Sequence, residues 1–218
     1  METDDPKFKA RKARMTKLLN KLKELYPDEK QTILKYSNDW ELLVSVILSA
    51  QCTDVMVNKV TEKLFKKYPT LEDYVQADYD EFRMDIKSTG FFNAKAKNVL
   101  SAAKKIKEEF GGKIPQTMEE MITIPGVARK TANVVLGNAH GIVEGIAVDT
   151  HVKRFAKRFD LSDYDDPVKI ERDLMQLLPK DEWFLFTYRV IAYGRTIGPA
   201  KGYDLTLDPL AEIFQPVT

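Results

Sequence analysis

A chain of 218 residues, 44% of them hydrophobic, is long enough to bury a core as one domain or as two small ones. Its net charge of +1 gives no global basic field to attract a polyanion. Its one cysteine excludes an intrachain disulfide, a four-cysteine zinc site and a cysteine-ligated iron–sulfur cluster. Two histidines, His140 and His151, are too few for a metal site. The first residues are acidic with no apolar run behind them, and no stretch could span a bilayer, so a soluble, cytoplasmic protein without membrane contact is expected.

In chain order the pattern is helical. Residues 8–26 form a basic amphipathic helix with Met15, Leu18, Leu19, Leu22 and Leu25 on one side. Asn38 or Asp39 caps an apolar helix from Trp40 to about Ala50, and Cys52 at its end reads as an inert buried thiol. Thr53 starts a helix over 54–68 that Pro69 ends, and short helices follow near 71–77 and 79–87. Gly90 breaks the chain before a long helix over 93–110, which Gly111 and Gly112 terminate. Thr117 and Glu120 make a capping-box start for a short helix reaching Ile124. A second long pattern runs from Val127 to His140, with Val127, Thr131, Val134, Val135 and Leu136 inward and Gly141 as its stop. Further helices are expected over 150–159, 167–178 (Asp166 cap, Pro167 at the first position) and 181–196, then one short helix near 208–214. The fold class is all-α. Charge is unevenly placed: Lys7, Lys9, Arg11, Lys12, Arg14, Lys17, Lys21 and Lys23 crowd the first helix, and Lys153, Arg154, Lys157 and Arg158 form a second cluster. Each cluster could follow a phosphate backbone or simply be a solvated helix face.

The turn from Ile124 to Thr131 carries the chemistry. Pro125 stiffens it, and Gly126 permits a sharp reversal and a close approach to a partner. The N–H groups from Val127 onward are then a ready site for a phosphate. Lys130 sits about one turn inside this helix. The helix N-terminus and partial burial would disfavour its cationic form, the usual route to a nucleophilic amine. Nineteen positions later comes Asp149, in Ala147-Val148-Asp149-Thr150-His151. An amine, a carboxylate and a phosphate-gripping hairpin point to an enzyme acting on nucleic acid. Taken alone, the same residues also fit a helix-opening turn, a solvated lysine and an N-cap aspartate.

These motifs together resemble the endonuclease III branch of the helix–hairpin–helix-GPD DNA glycosylases. The hairpin from Ile124 to Leu136 and the stretch from Ile146 to Arg154 carry the likeness. It is joined by Leu48 to Asp54 with Val57-Asn58-Lys59, and by Ser88 to Ala96, and it spans roughly residues 15–197. The resemblance implies two helical lobes with a DNA-binding cleft between them, one built from 35–145 and containing the hairpin, the other from 1–34 with 146–218. It implies base excision repair: a DNA glycosylase with AP-lyase activity that removes oxidised or damaged pyrimidines from duplex DNA through a lysine Schiff base and β-elimination. Lys130 is then the nucleophile, and Asp149 stabilises the oxocarbenium-like sugar and shuttles protons. Gln51 and Phe91 occupy the two wedge positions that open the helix around an extruded base; on their own residues they read as a helix-end glutamine and a core aromatic. Gly126, Ala128, Arg129 and Thr131 belong to the DNA-gripping hairpin. His151 is placed to hold DNA or a water, and Asp54 reads as a capping carboxylate.

Two departures from the family pattern matter. Its hairpin often carries a second glycine where Ala128 stands. Its C-terminal loop usually holds four cysteines on a [4Fe–4S] cluster, whereas this chain has none after Cys52. No cofactor is therefore expected. A small apolar plug of Leu205, Leu207, Leu210, Ile213 and Phe214 is expected in the cluster's place, with Lys201 keeping a phosphate contact. The partner is double-stranded DNA with a damaged base or abasic site, engaged by a monomer. The alternatives are a mismatch thymine or uracil glycosylase, or mainly an AP lyase, on the same fold, and a non-catalytic helix–hairpin–helix DNA-binding module.

Overall fold

The computed structural model describes residues 5–29 and 31–213. Within them every regular element is helical: α1 (Pro6–Leu25), α2 (Asp39–Leu48), α3 (Asp54–Lys67), α4 (Leu71–Gln76), α5 (Tyr79–Asp85), α6 (Phe92–Phe110), α7 (Met118–Met121), α8 (Arg129–Val135), α9 (Thr150–Arg158), α10 (Pro167–Leu177) and α11 (Trp183–Thr196). Most starts have a side-chain cap: Asn38 accepts from Glu41 N–H, Thr53 from Met56 N–H, and Asp166 from Lys169 N–H, with Pro167 fixing the first turn of α10. No helix among the described residues is long and apolar enough to cross a membrane.

The chain divides into two units, Thr32–Ile142 and Met1–Gln31 with Val143–Thr218. In the first, α2 is the central helix. Its residues Trp40 to Leu48 are all buried, because α3, α6 and α8 pack around it. Trp40, Tyr68, Tyr74 and Phe82 stack edge-on or tilted at centroid distances of 5.1–5.7 Å, closing one end of this core.

In the second unit α1, α9, α10 and α11 enclose Leu18, Leu22, Phe155, Phe159, Phe186 and Tyr193. Arg11 and Arg14 lie inside it rather than on a solvated or DNA-facing surface. Arg11 is 1% exposed and binds Asp160 and Asp163 at 2.7–3.0 Å, while Arg14 donates to the Phe159 and Asp160 carbonyls. Lys7 bonds Asp163, Lys12 the Gln176 carbonyl, and Lys23 pairs with Glu182. Much of the N-terminal basic cluster thus docks α1 onto its own unit. The second cluster is also engaged: Lys153 bonds the Asp165 carbonyl, Arg154 the Gly198 carbonyl, and Arg158 the Tyr193 hydroxyl.

Four local expectations are corrected. The helix after Gly126 begins at Arg129, not Val127, and its last turn, Leu136–His140, widens to a π-turn before Gly141 stops it at φ +66°. Cys52 is half-buried in the turn between α2 and α3, outside the apolar helix. The tail forms two single 3-10 turns, Leu205–Leu207 and Ala211–Ile213, in place of a short helix. Leu205 and Leu207 are 60% and 75% exposed, so only Leu210 and Ile213 of the apolar plug pack inward. Phe214 lies outside the described residues.

Candidate active site

The hairpin glycine is required twice over. Gly126 has φ +81°, and a Cβ there would meet Cβ of Asn98 on α6 at 2.8 Å. The Val127 N–H closes the turn on the Ile124 carbonyl, so it is not one of the outward donors. Ala128 is the N-cap residue at φ −93° and ψ 170°, extended backbone in which a methyl is unstrained, and no side chain caps the helix. The first helical bond runs from Ala132 N–H to the Ala128 carbonyl, and the first-turn N–H groups beyond Ala128 have no intrahelical acceptor by geometry.

Lys130 is the second residue of α8, within its first turn. It is exposed, without a hydrogen bond or ion pair among the described residues, and the burial expected for it is not there. Its amine is available to a ligand laid on the hairpin. Arg129 and Thr131 beside it are half-buried.

In the other unit, Asp149 is the N-cap of α9. Its Oδ1 accepts from the N–H groups of His151 and Val152, both at 2.8 Å, which fixes the carboxylate's orientation. The residue is half-buried, and Oδ2 has no partner among the described residues. The cap thus occupies one carboxylate oxygen and leaves the other without a hydrogen bond among the described residues. Nδ1 of His151 lies 3.0 Å from the Arg154 guanidinium. Burial and neighbouring Arg158 push Arg154 down from the ordinary arginine value, opposed by Asp149 and Tyr193. Gly194 of α11 leaves the space that His151 and Arg154 occupy.

Gln51 and Phe91 are both exposed and both left-handed, at φ +53° and +48°, which is uncommon for residues with a Cβ. Phe91 is 65% exposed at the start of α6, so it is not the core aromatic its neighbours in sequence allow. Gln51 makes no hydrogen bond among the described residues, unlike an ordinary helix-end glutamine. Sequence reasoning missed Lys95, four residues after Phe91, which is 4% exposed and donates to the Leu48 carbonyl at 2.8 Å and the Thr89 carbonyl at 2.7 Å. The available signal was a lysine on the buried face of α6, in line with Ala96, Val99 and Ala103. Asp54 is the first residue of α3; Thr53 is its cap.

A family model for HhH-GPD superfamily base excision DNA repair proteins matches residues 44–180. The chain belongs to that superfamily. Within it, this HhH-GPD protein is 50% identical over 195 residues to endonuclease III of Synechocystis, covering 89% of each chain. It is 38% identical to a solved non-covalent endonuclease III–DNA complex, with a TM-score of 0.88 over 93% of this chain and 94% of that one. A trapped endonuclease III–DNA covalent intermediate matches over the same spans with a TM-score of 0.89. The all-helical HhH-GPD fold and the endonuclease III group are thereby established for it.

An iron–sulfur cluster of the kind the resemblance implies does not fit the donors of this HhH-GPD chain. Such a cluster takes four thiolates, whereas this sequence has a single cysteine, Cys52, and none in the segment after α11. That segment is organised instead by buried Asp208, which accepts from the hydroxyls of Tyr193 and Tyr203. Arg158 lies 3.5 Å over the Tyr203 ring. Lys201 stands exposed in the turn before Tyr203.

Proposed function

We propose that this base excision repair DNA glycosylase/AP lyase removes oxidised or ring-saturated pyrimidines from duplex DNA, with Lys130 as its nucleophile and Asp149 as its charged partner. The observation that carries the reading is the exposed amine of Lys130, unpaired among the described residues, in the first turn after the Gly126 reversal. The relative captured as a covalent DNA intermediate supports a covalent route. The phosphate backbone lies on the hairpin's N–H groups, and the damaged nucleotide leaves the stack while Gln51 and Phe91 fill the space.

The neutral Nζ of Lys130 attacks C1′ as the glycosidic bond breaks, and the bond's electron pair leaves with the base, which takes up a proton. Asp149 faces the cationic charge that develops on the sugar through Oδ2, Oδ1 being held by the α9 N–H groups. Ring opening yields the iminium, and loss of a C2′ proton expels the 3′-phosphate. Water then releases the lysine. The primary amine of lysine forms this Schiff base and is regenerated by its hydrolysis. The enzyme acts as a monomer and without a cluster, its C-terminal segment held by Asp208.

Borohydride trapping on an abasic-site duplex tests the reading, comparing the parent with Lys130→Gln. A covalent adduct in the parent alone is the expected result. An equal adduct in both would move the amine elsewhere, and no adduct from a folded, DNA-binding parent would remove the lyase chemistry.

A further inference from the structure

The two proposed wedges stand on separate loops. Gln51 follows the end of α2, and Phe91 precedes α6. One buried side chain touches both loops: Lys95 donates to the carbonyl of Leu48, the last residue of α2, and to that of Thr89, two residues before Phe91. Thr89 is itself 2% exposed and anchored by its hydroxyl to the Ile86 carbonyl, so this acceptor is fixed within the unit's interior. The Leu48 carbonyl belongs to the last turn of α2, where helix carbonyls are left unbonded and carry partial negative charge.

An apolar side chain of the same length would fill this place without removing a charge from water. A cation here does what an apolar side chain cannot, by fixing the separation of two carbonyls from different loops. Each loop contains a non-glycine residue at positive φ, a conformation that persists only where its surroundings over-determine it. Burial pulls Lys95 below the ordinary lysine value, with Cys52, the neighbour of Gln51, acting the other way.

We propose that Lys95 is a positioning residue that clamps the Gln51 and Phe91 loops at the spacing needed to open a duplex. The inference rests on the wedge reading of those two residues. Lys95 touches no DNA; it acts through the loops it joins.

A mutant cycle with four proteins tests it: the parent, Lys95→Met, the double variant Gln51→Ala with Phe91→Ala, and all three changes together. Single-turnover excision from a lesion-containing duplex is measured beside cleavage of single-stranded abasic DNA, which has no opposing strand to open. Lys95→Met is expected to slow duplex excision by about ten- to a hundredfold, the scale of small misplacements in a site. It should leave single-stranded cleavage within about twofold, and should add less than about twofold once both wedges are gone, because residues acting through one another are not additive. Equal losses on both substrates, or the same factor with and without the wedges, would overturn the clamp. If the double wedge variant excises like the parent, the wedge reading itself fails, a separate result. Lys95→Gln, neutral but still a donor, is run in parallel with thermal melts. Failure of both variants to fold would assign Lys95 to core stability and overturn the clamp as well.

Discussion

The hydroxyl of Tyr193, on α11, donates a 2.5 Å hydrogen bond to Oδ2 of Asp208 in the tail. Tyr203 donates to the same oxygen, and the Leu210 N–H bonds Oδ1 at 2.8 Å, which seats Leu210 in the unit's core. One carboxylate thus fastens the segment that a metal cluster organises in the pattern this chain resembles. Asp208→Ala is expected to destabilise the protein by about 2–4 kcal/mol, since each hydrogen bond to a charged acceptor contributes about 1.5–3 and the three are not additive. Urea unfolding checks this. Incubation with ferrous iron and sulfide should leave the visible spectrum of the parent unchanged.

The catalytic role proposed for Asp149 is separable from its observed capping of α9. Asn caps helices as well as Asp does, so Asp149→Asn should change stability by less than about 0.5 kcal/mol while cutting single-turnover excision by on the order of a hundredfold, the scale of one lost electrostatic stabiliser. Asp149→Ala should lose about 1 kcal/mol of stability in addition. Melting curves and excision rates on one duplex separate the two effects. An Asn variant as active as the parent would leave Asp149 with capping alone.

The hairpin predicts opposite outcomes at neighbouring positions. Gly126→Ala forces a Cβ into positive φ and against Asn98, and should destabilise by about 1–3 kcal/mol while weakening DNA binding. Ala128→Gly, at an extended position, should leave the duplex Kd within about twofold, because alanine's methyl costs nothing there. Equilibrium binding to an abasic duplex checks both.

Acid should loosen α1 from its unit over a defined window. Hydrogen bonds from Arg11 and Lys7 hold Asp163 down at about 2, against an ordinary 3.8. At Asp160 burial works upward, but the bonds from Arg11 and Arg14 outweigh it and the net shift is also downward. A depressed carboxylate stabilises the fold above its unfolded value, and that contribution is lost as pH falls through the folded value. Stability should therefore hold from neutrality to about pH 4 and decline toward pH 2, and Arg11→Met should flatten the decline. Urea midpoints across that range measure it; an identical profile in both proteins would exclude the pair.

Salt dependence reports the phosphate footprint. Because much of the N-terminal basic cluster is engaged within its own unit, contact with about six phosphates or fewer gives a log–log slope of about −5 or shallower. Lys201→Ala should make that slope shallower by about one while lowering affinity evenly across DNA sequences. A parent slope much steeper than −5 would mean a wider footprint.

The helices were legible because their signals are local. Asn38, Thr53, Thr70, Asp78, Thr117 and Asp166 each cap the helix that follows, and the apolar period of α2 and α6 marks their buried faces. The hairpin was legible because Gly126 marks a reversal at positive φ that a Cβ would crowd against Asn98. What escaped depends on contacts between residues far apart in the chain. Arg11 reads as one more surface cation until Asp160 and Asp163, about 150 positions later, reach it. Lys95 shares the apolar face of α6, but that face does not disclose the two carbonyls from different loops that converge on it. The left-handed backbone of Gln51 and Phe91 has no compositional mark, since neither residue favours it.

Gln51 and Phe91 both hold a left-handed backbone, a conformation that persists only where its surroundings over-determine it. Its cost is met when the chain folds. If these two residues are the wedges proposed above, an enzyme built this way has no loop to remake at each base pair. Its dwell time is then set by how readily the DNA yields, and a weakly stacked lesion opens sooner than the intact pairs around it.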